Sequence, residues 1–141
     1  MNAKNFLLVW LLAFVLLFGL NGVFHGVLAA PFFDGHFAHL GCVKKMSESN
    51  PAPVAILDLV LSFGMTLVIT RKASGRIGFA EAALLGGLLN LISSGAWNLA
   101  NVSLMDWPVT VTIGDIAWHV ALGCGGGILI AALANWRMRK A

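Results

Sequence analysis

The chain has 141 residues, 59% of them hydrophobic and only 11% charged, with a formal net charge of +3. A mean hydropathy of +0.87 excludes an ordinary soluble domain and places the chain in a bilayer. The positive charge sits at the ends of apolar stretches, which is the pattern of membrane topology and not of nucleic-acid binding.

Residues 5–28, 53–70, 77–102 and 109–134 are each long enough to cross about 30 Å of hydrocarbon at about 1.5 Å per residue. They predict an all-α polytopic protein, four transmembrane helices in one antiparallel bundle with no second domain. Lys4 precedes the first span, Arg71, Lys72 and Arg76 separate the second from the third, and Arg137, Arg139 and Lys140 end the chain. The positive-inside rule then makes both termini cytoplasmic, with Lys44 and Lys45 dissenting, and the setting is a bacterial inner membrane.

Lys4 and an apolar run ending in Val27-Leu-Ala-Ala30 also resemble a secretory signal and its cleavage site. The run from Phe6 to Leu28 exceeds a usual signal core, so it is read as a true first helix. Gly19, Gly22 and Gly26 mark an edge suited to close helix contact, and Asn21 and His25 form a polar edge beside it. The connection 31–52 begins with an aromatic segment that reads as re-entrant or lying on the membrane surface and ends as a polar linker. Within it, His36, His39 and Cys42 recur at three-residue steps beside Asp34 and offer metal ligands, although tetrahedral sites usually draw on two separated segments. The plainer reading makes them interfacial histidines beside Phe32, Phe33 and Phe37.

The second span carries Asp58 about five residues from its outer end, with Ser62 and Met65 continuing that face, and the carboxylate can snorkel outward. In the third span Gly86, Asn90, Ser93, Ser94, Trp97 and Asn101 recur at helical steps with Asn98 just beside them, a stripe that serves either packing or a site. Trp107 follows in a short connection and fits an interfacial aromatic belt. The fourth span holds Asp115, Trp118 and His119; Asp115 and His119 are four apart on one face, where an ionisable pair costs too much to leave against lipid. Gly125-Gly-Gly127 beyond them admits another backbone or a flat ligand. Cys124 lies too deep for a disulfide with Cys42.

Alternating helix direction puts these groups at one depth. Asp115 falls about 9 Å and His119 about 15 Å below the start of their helix, level with Asn21, His25, Asp58, Asn98 and Asn101. The expectation is an outward-facing polar cavity lined by those seven residues, with the His36 and His39 loop as its lid and a nearly all-aliphatic inner half.

Trp97-Asn-Leu-Ala-Asn101, Trp107-Pro108 and Asp115-Ile-Ala-Trp118 resemble the signature of a family of small four-helix bacterial predicted membrane proteins catalogued as a domain of unknown function. That signature runs aromatic-Asp-Leu-Thr-Asn, then Trp-Pro, then Asp-x-x-Trp-Gly, with an acidic residue and a Trp in the first helix. The resemblance implies the fold and marks Trp97, Asn101, Trp107, Pro108, Asp115 and Trp118 as family positions, without implying an activity. Asn21 and Asn98 stand where it has acids, Ala100 where it has Thr, and His119 where it has Gly.

Three functions compete. The first is binding or transport of a small polar or cationic ligand, with Asp115 as counter-charge, His119 as a proton-responsive partner and membrane lipid around a possible homodimer. The second is an accessory or assembly subunit of a larger membrane complex. The third is haem or metal binding, with His25 and His119 as axial ligands. An enzyme is least supported, because no nucleophile and base stand in a recognisable order.

Overall fold

The structure, a computed structural model, describes residues 1–41, 43–71 and 76–139. Cys42, Lys72 and Lys140 therefore lie outside the described residues. Five α-helices follow in order, α1 Ala3–Val23, α2 Ala30–Phe37, α3 Ala52–Arg71, α4 Phe79–Leu104 and α5 Val109–Met138. A π-helical turn, Phe24–Leu28, prolongs α1, and a 3-10 turn, Met46–Glu48, interrupts the long connection. With that turn, α1 forms the first of four segments long and apolar enough to span a membrane, the others being α3, α4 and α5.

Local chemistry sets the helix starts. The side chain of Asn2 accepts from the Asn5 amide at 2.9 Å, and that of Asn50 accepts from the Ala52 amide at 3.0 Å. Pro108 precedes α5, where its fixed φ costs nothing.

The buried face of α1 repeats every fourth residue, Asn5, Val9, Ala13, Leu17 and Asn21. It packs with Met65 and Ile69 of α3 and with Leu122, Ile130, Ala131 and Ala134 of α5, which together form the apolar middle of the bundle. In α4 the buried line is Ala82, Gly86, Asn90, Ser94, Asn98 and Asn101. Asn98 is thus central to the stripe, whereas Ser93 is exposed and Trp97 is 67% exposed. The reason is that the line facing α5 advances by fours from Gly86, and Trp97 falls one position off it.

The closest helix contact is α4 against α5. A Cβ on Gly123 would strike the Gly86 carbonyl and the Asn90 side chain, and one on Gly127 would strike the Ala82 carbonyl. This is the small-residue packing of membrane helices. The glycines of α1 do something else, since a Cβ on Gly19, Gly22 or Gly26 would meet nothing within 4 Å. The helix seam expected there is absent within the described chain.

The end of the bundle with the α3–α4 hairpin is not purely aliphatic either. Asn135 of α5 accepts from the Ile77 amide at 2.9 Å and donates to its carbonyl at 3.0 Å, satisfying both backbone groups just before α4. Asn5 accepts two bonds from Arg137, at 3.1 and 2.9 Å, and so ties the start of α1 to the end of α5. The nearly all-aliphatic inner half expected from the sequence is therefore not found, since Ser62, Thr66 and Asn90 are also buried in the middle of the bundle.

Candidate functional site

At the end of the bundle opposite the hairpin, polar side chains from all four spans join one network. Asp115 is its hub. One carboxylate oxygen lies 2.8 Å from His25 Nε2, and the other accepts from Asn98 Nδ2 at 2.7 Å. His119, one turn along α5, places Nδ1 2.9 Å from the Asp115 carbonyl and 3.4 Å from its carboxylate. Asn21 bridges to the remaining span, donating to Asp58 at 3.2 Å while accepting from Trp118 Nε1 at 3.2 Å.

Backbone geometry aims these groups. The π turn begins at Phe24, and His25 Nδ1 lies 3.1 Å from the Asn21 carbonyl one turn back. That contact fixes the ring with Nε2 toward α5. π-helical turns widen a helix and recur at functional sites. Phe24 stacks on Trp118 with centroids 3.9 Å apart and planes 8° from parallel, which clamps the π turn to α5.

Above this network is a cavity of about 460 Å³. Asn21, His25, Asp58, Asn98, Asp115 and His119 form its polar floor, and Phe18, Phe33, Phe37, Val54, Leu57 and Val111 supply apolar walls. Ser49, Asn50 and Pro51 frame it on the loop side, and Trp97 stands at its edge. Six of the seven residues expected to line a cavity therefore do so, together with Trp97. Asn101 does not: it is 4% exposed, outside the lining, and its amide nitrogen has no partner among the described residues. Trp118 acts from behind the wall through its bond to Asn21.

The lid is aromatic and not histidine. Phe33 and Phe37 of α2 are buried with Val111, and Phe37 lies 4.3 Å from the Trp107 ring. His36 and His39 are outside the lining, with ring nitrogens 2.8 Å from the Phe32 carbonyl and 3.3 Å from the Asp106 carbonyl. In α2 the phenylalanines four apart, Phe33 and Phe37, are buried, while Phe32 is 42% exposed and packs beside His36. Trp107, expected in an interfacial aromatic belt and at a family position, lines the cavity, and its buried N–H has no partner among the described residues.

The haem arrangement does not fit. The His25 and His119 rings are 5.5 Å apart, and the Asp115 carboxylate touches both, so no macrocycle passes between them. The glycine run offers no slot, because Gly126 abuts Leu17 and Met65, and Gly127 abuts Ala82. A smaller ion is a different matter: His25, Asp115 and His119 each offer a ligand atom within 4.8 Å of the other two.

A family model described as "Predicted membrane protein (DUF2177)" matches residues 6–134. No curated protein and no solved structure matches the chain.

Proposed function

We propose, for a chain that belongs to the DUF2177 family of predicted membrane proteins, that it binds a small ligand with a cationic or hydrogen-bonding head and an apolar body. The cavity would face outward from a bacterial cytoplasmic membrane. The observation that carries this reading is the pairing of an apolar wall with a floor that holds two carboxylates, Asp58 and Asp115, at the depth of the spans. Ionisable groups persist there only when something offsets their desolvation, and a ligand's positive charge does so. The Trp107 N–H, without a partner among the described residues, adds a donor for an acceptor on the ligand.

Orientation follows from charge. Lys4, Arg71, Arg76, Arg137 and Arg139 lie at the hairpin end, which the positive-inside rule makes cytoplasmic. The packing favours binding over transport, since Val9, Met65, Ile69 and Ile130 are buried in the bundle beneath the floor.

Native mass spectrometry of protein extracted with its small molecules retained tests the reading. The wild type is expected to carry a small-molecule adduct that is lost when Asp58→Asn and Asp115→Asn are combined. Equal loading of wild type and double variant would reject the cavity as the binding site.

A further inference from the structure

The contact between His25 and Asp115 poses a problem of hydrogen bookkeeping. His25 Nδ1 faces the Asn21 carbonyl at 3.1 Å, and a carbonyl only accepts, so Nδ1 carries the hydrogen. In the neutral ring Nε2 is then a bare lone pair. It nevertheless lies 2.8 Å from a carboxylate oxygen, which is also a lone-pair donor. Two such atoms approach this closely only with a cation between them, and a proton or a metal ion can serve.

Three features favour a metal. His119 places a second imidazole beside the same carboxylate, so the three groups converge within 4.8 Å. The 2.8 Å between His25 Nε2 and an Asp115 oxygen is short enough for both atoms to ligate one ion with bonds of about 2.0–2.2 Å, and His119 Nδ1, with its hydrogen on the Asp115 carbonyl, leaves Nε2 as that ring's ligand atom. Each group is also held by an outer partner as metal ligands usually are: His25 by the Asn21 carbonyl, His119 by the Asp115 carbonyl, and Asp115 by the Asn98 amide.

We propose that His25 Nε2, a carboxylate oxygen of Asp115 and a ring nitrogen of His119 form a site for one divalent transition-metal ion at the cavity floor. Two imidazoles and one carboxylate suit first-row ions such as Zn²⁺ and Co²⁺ better than Mg²⁺ or Ca²⁺, which prefer oxygen. Three protein ligands leave at least one position open. It faces the cavity, and there the proposal rests on the ligand-binding reading above in its hydrogen-bonding form: the ion presents its free position to a neutral lone-pair donor on the head of the bound molecule. Asp58, joined through Asn21, is the other carboxylate on the floor and balances the ion's second charge.

The probe is Co²⁺ added to tag-free, chelator-stripped protein in detergent micelles. One Co²⁺ per chain is expected, with visible d–d absorption that stoichiometric Zn²⁺ abolishes. His25→Gln and His119→Gln should each weaken binding at least tenfold, and Asn98→Leu roughly tenfold through the lost outer partner. His36→Gln with His39→Gln should leave binding unchanged. Helical circular dichroism of each metal-free variant shows that it has folded. Wild-type protein without Co²⁺ absorption, or absorption that survives His25→Gln and disappears with the loop pair, overturns the site. Failure here with an Asp-dependent adduct intact rejects the metal alone, whereas Co²⁺ binding with no adduct rejects the small-molecule reading and leaves the metal site standing.

Discussion

Gly127→Ala is expected to destabilise the protein by about 3 kcal/mol, the upper range of overpacking in a well-filled core, while Gly125→Ala two positions earlier should be neutral or slightly stabilising. A methyl at 127 falls on the Ala82 carbonyl, and backbone cannot turn aside as a side chain can. α4 and α5 would have to separate, and that separation also disturbs Gly86 against Gly123. At 125 a Cβ meets nothing within 4 Å, so only the helix preference of alanine remains, about 0.5–1 kcal/mol in its favour. Denaturant titration in mixed micelles reads both variants. Equal effects would show that α4 and α5 do not meet along this edge.

Asp115→Leu is the second large effect. It removes the carboxylate that both His25 and Asn98 contact and leaves both side chains facing an apolar group. Stranding the partners of a buried charge costs about 3–5 kcal/mol in soluble proteins, and hydrogen bonds between membrane helices run weaker, so a loss of about 2–3 kcal/mol is expected. Asp115→Asn should cost about 1 kcal/mol or less, because the amide still accepts from Asn98 and can donate to His25 Nε2. Thermal unfolding of metal-free protein separates the two. A leucine variant as stable as wild type would mean that water enters and solvates the network fully.

The spans were legible because length and apolarity alone demand them; the helices observed begin and end within a few residues of the expected positions. The common depth of Asn21, His25, Asp58, Asn98, Asp115 and His119 was legible too, since rise per residue is insensitive to helix rotation. Rotation is where the sequence was ambiguous. Trp97 and Asn98 are neighbours, and periodicity with mixed three- and four-residue steps did not say which faces α5. The glycines were ambiguous for a related reason: a small residue fits both a tight contact and a cavity wall, and only the partner helix decides between Gly123, in contact, and Gly22, open to the cavity. Asn135 and Asn5 leave no pattern in the sequence, because their partners are backbone groups or a charge at the far end of the chain. Asn21 and Asn98, which depart from the family signature, proved to be amide donors to Asp58 and Asp115.

The cavity reaches into the bundle from the side opposite the hairpin. Gly22 lines it, and its missing Cβ leaves space for a probe, whereas exposed Gly125 lies on the outer surface of α5 at the level of the lipid. With Cys42 and Cys124 replaced, single Gly22→Cys, Gly125→Cys and Ser47→Cys chains in intact cells should be treated with a membrane-impermeant maleimide. Labelling of Gly22→Cys alongside the loop control, with Gly125→Cys protected, is the predicted result. Labelling of the loop cysteine alone would contradict it.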